Sequence, residues 1–190
     1  MAYNPLIHHR RSIRLKGYDY SQSGAYFITL CPYHREHLFG EIVNGNTVLS
    51  EYGQIAFNEW VRTPVKRSNV ALDVFVIMPN HLHGIVIIND TGESHSPILD
   101  DMAWNKIQLQ FNNKGECDSP LRSLSNTVGA IVRGYKWVVT KQINLLCSGQ
   151  IIWQRNYYEH IIRNEQAYQT ISEYIMNNPA KWEEDKFFSI

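Results

Sequence analysis

Cysteine is scarce in this chain: Cys31, Cys117 and Cys147 are the only three in 190 residues, and they stand far apart. The odd number and the lack of any Cys-x-x-Cys argue against a disulfide framework or a thiolate zinc site. They predict a reducing compartment. Net charge is missing too. Eighteen Lys and Arg balance eighteen Asp and Glu, so no global field announces a nucleic-acid partner, and any such partner must meet a local basic surface. No apolar run is long enough for a signal-peptide core or a membrane span. The expectation is therefore a cytoplasmic protein with no membrane partner. No internal repeat is visible, and the length suits one domain, residues 1–190, with room for a substantial core.

What is present is organised. Ala25 to Cys31 reads as a buried strand ended by Pro32. Glu41 to Leu49 reads as two short strands around Asn44-Gly45, a strong hairpin signal. Ser50 caps a helix with Tyr52, Ile55, Ala56 and Trp60 as its apolar stripe, ending before Pro64. Val70–Met78 and His81–Ile88 read as antiparallel neighbours joined through Pro79-Asn80. Residues 90–119, rich in Asp, Asn, Ser and Gly, are long for a loop and read as an insertion. Ser119-Pro120 looks like the start of a long helix. Leu124, Val128, Ile131, Tyr135, Val138 and Val139 form its buried stripe, with Arg122, Arg133, Lys136 and Lys141 outward. Ile151 to Trp153 suggests a last short strand. A final helix runs from about Asn164 to Asn177, stopped by Pro179. This order predicts an α+β domain, an antiparallel sheet covered on one face by helices.

The most informative segment is Met78-Pro79-Asn80-His81-Leu82-His83-Gly84, which opens an apolar, β-branched strand. Alternation puts His81 and His83 on one side of that strand, about 6–7 Å apart along it. Two imidazoles so placed can converge on a metal ion; they can equally be core histidines satisfied by neighbours. In the last helix Ala167, Ile171, Tyr174 and Asn178 share one face, which should look toward the sheet. Two imidazoles and the Asn178 carbonyl oxygen would then hold a divalent cation beside the Tyr174 hydroxyl. The alternative is a core aromatic followed by a C-terminal cap. Tyrosine is a poor nucleophile, with an ordinary pKa of about 10. A neutral His-His-Asn shell would leave the cation's charge free to polarise a phosphoryl oxygen. Imidazole ligands admit manganese or zinc as readily as magnesium.

Residues 78–84 resemble the HUH motif (two His around a hydrophobic residue) of single-tyrosine transposases. The closest resemblance is to the REP-associated tyrosine transposases of the IS200-like family, and it covers most of the chain. It includes Arg11-Ser12-Ile13-Arg14-Leu15 with Tyr20, Tyr26-Phe27-Ile28-Thr29, Leu38-Phe39-Gly40, and the helix around Gly129 to Lys141. Further on it includes Trp153 to Arg163 and Tyr174-Ile175-x-Asn177-Asn178-Pro179. The resemblance implies a ferredoxin-like α+β fold, the HUH endonuclease fold, with His81 and His83 on a central strand. It implies a Mg²⁺ or Mn²⁺ ion held by His81, His83 and Asn178, and attack by Tyr174 on a phosphodiester of single-stranded, hairpin-bearing DNA. The product would be a 5′-phosphotyrosine and a free 3′-hydroxyl. It leaves open a homodimer in which the tyrosine serves the partner's metal site.

Other candidates stand beside this reading. Tyr158, next to Glu159 and His160, is an alternative nucleophile, although the block 157–163 reads as a linker whose aromatics pack or stack on bases. The basic N-terminal segment (about 1–20: Arg10, Arg11, Arg14, Lys16), with Arg155 and Arg163, supplies candidate phosphate contacts. A catalytically silent module binding hairpin DNA or RNA is a second class of function, and an unrelated metal hydrolase is a third.

Overall fold

A computed structural model of the protein describes residues 18–89 and 127–188. Four strands, β1 (Gly24–Leu30), β4 (Val70–Met78), β5 (His81–Ile88) and β6 (Tyr158–Ile162), form one sheet in the order β4-β5-β1-β6. All three pairings are antiparallel. Between β1 and β4 lie a hairpin, β2 (Gly40–Val43) and β3 (Asn46–Leu49), the helix α1 (Glu51–Val61) and the short α2 (Thr63–Lys66). Between β5 and β6 lies α3 (Val128–Leu146), and α4 (Glu165–Asn177) follows β6. Each central strand thus reaches an outer strand through a helical crossover, which is the ferredoxin-like arrangement expected above. No described helix is long and apolar enough to cross a membrane.

Local chemistry explains the elements. Asn44 and Gly45 both take positive φ, 51° and 73°, the pair that a two-residue turn matched to strand twist requires. Ser50 Oγ accepts from Gly53 N–H and Asn164 Oδ1 from Ala167 N–H, each satisfying an otherwise orphaned donor at a helix start. The cap of α3 is Thr127, which accepts from Ala130 N–H, rather than Ser119. Ser119, Arg122, Leu124 and the expected insertion at 90–119 lie outside the described residues.

Period-two alternation divides the sheet into two faces. Tyr26, Ile28 and Leu30 of β1 and Leu82, Val86 and Ile88 of β5 pack against α1 and α3 through Trp60, Ile131, Tyr135 and Val139. The opposite face carries Phe27 and Ile85, packed with Ile171 and Ile175 of α4. Helices therefore cover both faces rather than one: the crossover helices lie on one side, and the C-terminal helix brings its own apolar stripe to the other. Gly84 makes the first packing possible. A Cβ there would meet Trp60 Cζ2 at 2.7 Å and Phe75 Cβ at 3.0 Å.

Two expectations are corrected at the periphery. Tyr158–Ile162, read as part of a linker, is the edge strand β6, while Trp153 makes only an isolated bridge with Pro32. Lys136 does not face outward. Its ammonium donates to the carbonyls of Gln154 and Asn156 at 2.9 and 3.0 Å.

Candidate nucleophile and metal site

His81 and His83 open β5 on the α4 face, and both are fully buried. Their ring centroids are 4.4 Å apart, closer than the strand repeat, because the rings lean toward each other. Each Nδ1 has a partner. His81 Nδ1 donates to Asn80 Oδ1 at 2.9 Å, and His83 Nδ1 is within hydrogen-bond distance, 2.8 Å, of Thr29 Oγ1 on β1. Thr29 is the residue directly opposite His83 in the β1–β5 register. Fixing Nδ1 in this way orients Nε2 into the site, as second contacts do for metal-binding histidines.

Tyr174 arrives from α4. Its hydroxyl lies 3.0 Å from His83 Nε2 and donates to Asp185 Oδ2 at 3.0 Å. Four residues on, Asn178 caps the same helix, is 2% exposed, and donates Nδ2–H to Asp185 Oδ2 at 2.6 Å. The stripe expected on this helix is shifted: Ser172 and Ile175 are buried, and Tyr174 sits at the margin with 38% exposure.

The segment after α4 closes the site. Phe187 N–H donates to Asp185 Oδ1 at 2.6 Å, and the Phe187 ring packs 4.6 Å from that of His81. Asn80 Nδ2 donates to the Phe187 carbonyl at 2.7 Å. Asn80 thus ties the histidine strand to the segment bearing Asp185.

Electrostatics follow from burial. Desolvation pushes His81 down to about 4 against the opposing pull of Asp185 and Asn178. Burial, helped by His81 and Lys186, holds His83 well below the usual histidine range. Both rings are therefore neutral at pH 7, the state in which imidazole donates a lone pair to a metal. Burial and then the Asp185 carboxylate raise the Tyr174 phenol above its ordinary value.

His81, His83 and Asp185 offer three ligand atoms within 4.8 Å of one another, a cluster that could hold a metal ion. Two buried atoms beside it, His81 Nε2 and Asn178 Oδ1, have no hydrogen-bond partner among the described residues. Unsatisfied buried acceptors are costly, and a cation would satisfy both. The donor set thus fits a divalent ion.

Of the predicted site residues, the structure brings together His81, His83, Tyr174 and Asn178. Tyr158 does not join them; its ring lies edge-on to Phe27 at 6.1 Å. His160, Arg155 and Arg163 are exposed, with Arg155 lining a separate cavity on the other side of the sheet. Arg10, Arg11, Arg14 and Lys16 lie outside the described residues. Asp185, Asn80 and Thr29 were missed. Asn80 adjoins the histidine pair and was legible; Asp185 follows two other acids and carried no distinguishing signal.

No family model matches the chain. A Haemophilus influenzae protein, described only as uncharacterized, is 42% identical over 195 residues, covering 98% of this chain and 97% of that one. Among solved structures, the REP-associated tyrosine transposase bound to a REP hairpin matches with a TM-score of 0.53 and 19% identity. That match spans 92% of this chain and 77% of the transposase. At that identity the likeness is one of fold.

Proposed function

The chain belongs to one family with the Haemophilus influenzae protein, and from its site and its transposase-like fold we propose that it is a metal-dependent tyrosine transposase acting on single-stranded DNA. The observation that carries this reading is the phenol of Tyr174 held 3.0 Å from Nε2 of a buried, neutral histidine, beside the unsatisfied acceptors of His81 and Asn178. His81, His83 and Asn178 would hold Mg²⁺ or Mn²⁺, with the Asp185 carboxylate close enough to share it. When bound, the cation would supply positive charge to a phosphoryl oxygen and to the developing phenolate.

The chain's own residues do the rest. Tyr174 Oη attacks the phosphorus of a phosphodiester, and the phenolic proton passes to Asp185 Oδ2, its acceptor in the resting site. The Oη–P bond forms as the bond from phosphorus to the 3′ oxygen breaks, and that oxygen leaves as a 3′-hydroxyl after taking a proton from solvent. The 5′-phosphotyrosine keeps the phosphodiester energy, so a 3′-hydroxyl can reverse the step and join strands. Phe187 and Trp182 pack against the His81 ring and hold it in place. Tyr174 and both histidines come together within one chain, which supports attack in cis. The hairpin held by the structurally similar transposase supports a hairpin-bearing strand as substrate here. The free thiols of Cys31 and Cys147 suit action in the cytoplasm.

The test is incubation of the full chain with 3′-labelled, hairpin-forming single-stranded DNA from the gene's own flanks, with Mn²⁺, read on a denaturing gel beside Tyr174→Phe. A wild-type adduct lost in the variant supports the reading. An adduct that survives Tyr174→Phe removes the nucleophile. DNA bound natively but never attached means a binding module without turnover.

A further inference from the structure

On the far face of the sheet, a cavity of about 640 Å³ opens between the start of α3 and the segment leading into β6. Its walls combine two kinds of side chain. Tyr18, Tyr20 and Tyr157 contribute rings, while Arg133, Lys136 and Arg155 contribute cations. Lys136 is fixed: two of its three N–H donors go to the Gln154 and Asn156 carbonyls, and its ammonium lies 5.8 Å from the Tyr157 ring centroid. The N-terminal end of α3, at Thr127 and Gly129, adds the positive end of a helix dipole to the same wall. One carboxylate, Asp19, lies on the rim, and its Oδ1 already accepts from Ser21 N–H and Oγ–H.

Rings to stack on, with cations to meet a phosphate, form the combination that binds an unpaired nucleotide. The cavity is also connected to the reactive site. β6 is the sheet's edge, and the consecutive Tyr157 and Tyr158 straddle it. Tyr158 lies against Phe27, whose ring is 5.2 Å from that of His83 and 6.3 Å from that of Tyr174. Tyr157 joins the core on the α1 and α3 side. A strand running past Tyr174 and over the β6 edge would meet one aromatic on each face.

Resting on the reading of the chain as a single-strand DNA transferase, we propose that this cavity is a second nucleic-acid site. It takes one unpaired base and its phosphate from the substrate strand, beyond the point of cleavage. The base stacks on Tyr157 or its neighbours, and Arg155 meets the phosphate.

The test uses the full chain and a 20-nucleotide thymidine oligomer carrying 5-iodouracil, crosslinked by long-wavelength light and mapped by mass spectrometry. Crosslinks are expected at Tyr157, Tyr18 or Tyr20. In parallel, Arg155→Ala, an exposed position, should weaken binding about threefold or more. It should also reduce the slope of log affinity against log salt by about 0.7, the loss of one single-strand phosphate contact. Crosslinks confined to Tyr158 and Tyr174, with an unchanged slope in Arg155→Ala, would overturn the second site while leaving the transferase intact. A wild-type chain that binds no single-stranded DNA would overturn both.

Discussion

The hydroxyl of Tyr174 and Nε2 of His83 stand 3.0 Å apart, although 91 residues separate them in the chain. The pairing joins α4, on one face of the sheet, to a central strand. It is fixed from both ends: Thr29 holds the far nitrogen of His83, and Asp185 holds the phenol.

If His81 and Asn178 keep their buried acceptors for a cation, Mn²⁺ should stabilise the fold. A ligand at a hundred times its Kd adds about 2.7 kcal/mol, which for a domain of this size is roughly 5–10 °C in Tm. Thermal unfolding with and without Mn²⁺ should show this rise in wild type and not in His81→Ala. A rise of equal size in the variant would remove His81 from the metal site.

Thr29→Val keeps the β-branched shape and removes the partner of His83 Nδ1. Loss of such an outer contact typically costs 10–100-fold in metal affinity. Calorimetric titration with Mn²⁺ should show a loss in that range, and adduct formation should recover when metal is raised to saturation. Unaltered affinity would mean that the strand alone orients the ring.

Asp185→Asn removes the acceptor for the phenolic proton while preserving shape. The expected result is an adduct rate lower by about a hundredfold or more, the usual scale for losing a positioned base. Single-strand binding should be unchanged or slightly tighter, since a negative charge is gone. A variant that forms adduct at the wild-type rate would leave Asp185 a purely structural partner of Asn178 and Phe187.

Legibility in the sequence tracked how local each signal was. Asn44-Gly45, Ser50 and the paired strands around Pro79-Asn80 declare themselves within a few residues, and the structure follows them. The histidine pair was visible because two polar rings interrupt an apolar strand. β6 was not, because an edge strand buries little and Tyr158 and His160 are exposed. The rotation of the buried stripe on α4 was equally hidden, since Tyr174 is drawn to the margin by His83 and Asp185, partners distant in sequence. Lys136 looked like a solvated lysine because its carbonyl acceptors come from the segment before β6.

Gly84→Ala tests how tightly the site depends on the packing behind it. The added methyl would press on Trp60 Cζ2 and Phe75 Cβ, the first fully buried and the second partly buried. Overpacking of this kind costs about 1–3 kcal/mol. Urea unfolding should report a loss of that size, together with weaker Mn²⁺ binding as β5 shifts next to His83. A neutral substitution would show that Trp60 has room to move.

Lys136 gives a pH dependence that can be isolated. Burial pushes its ammonium down to about 8 from the ordinary 10.5, opposed only by nearby Cys31. Below pH 8 the lysine is charged in both the folded and unfolded chain, and the cost of burying that charge is fully present. Between about 8 and 10.5 the unfolded chain binds the proton and the folded chain releases it, so stability contributed at this position rises with pH. Lys136→Met should abolish the rise. The measurement is the difference in unfolding free energy between wild type and variant at pH 7.5, 8.5 and 9.5, made in a Cys31→Ser background so that the thiol coupled to Lys136 does not contribute and the uncoupled groups cancel. A difference that moves in favour of wild type as pH increases supports a desolvated lysine. A flat difference would mean that the two carbonyls and the Trp153 and Tyr157 rings compensate its charge completely, leaving the cation available at neutral pH to a phosphate in the cavity it borders.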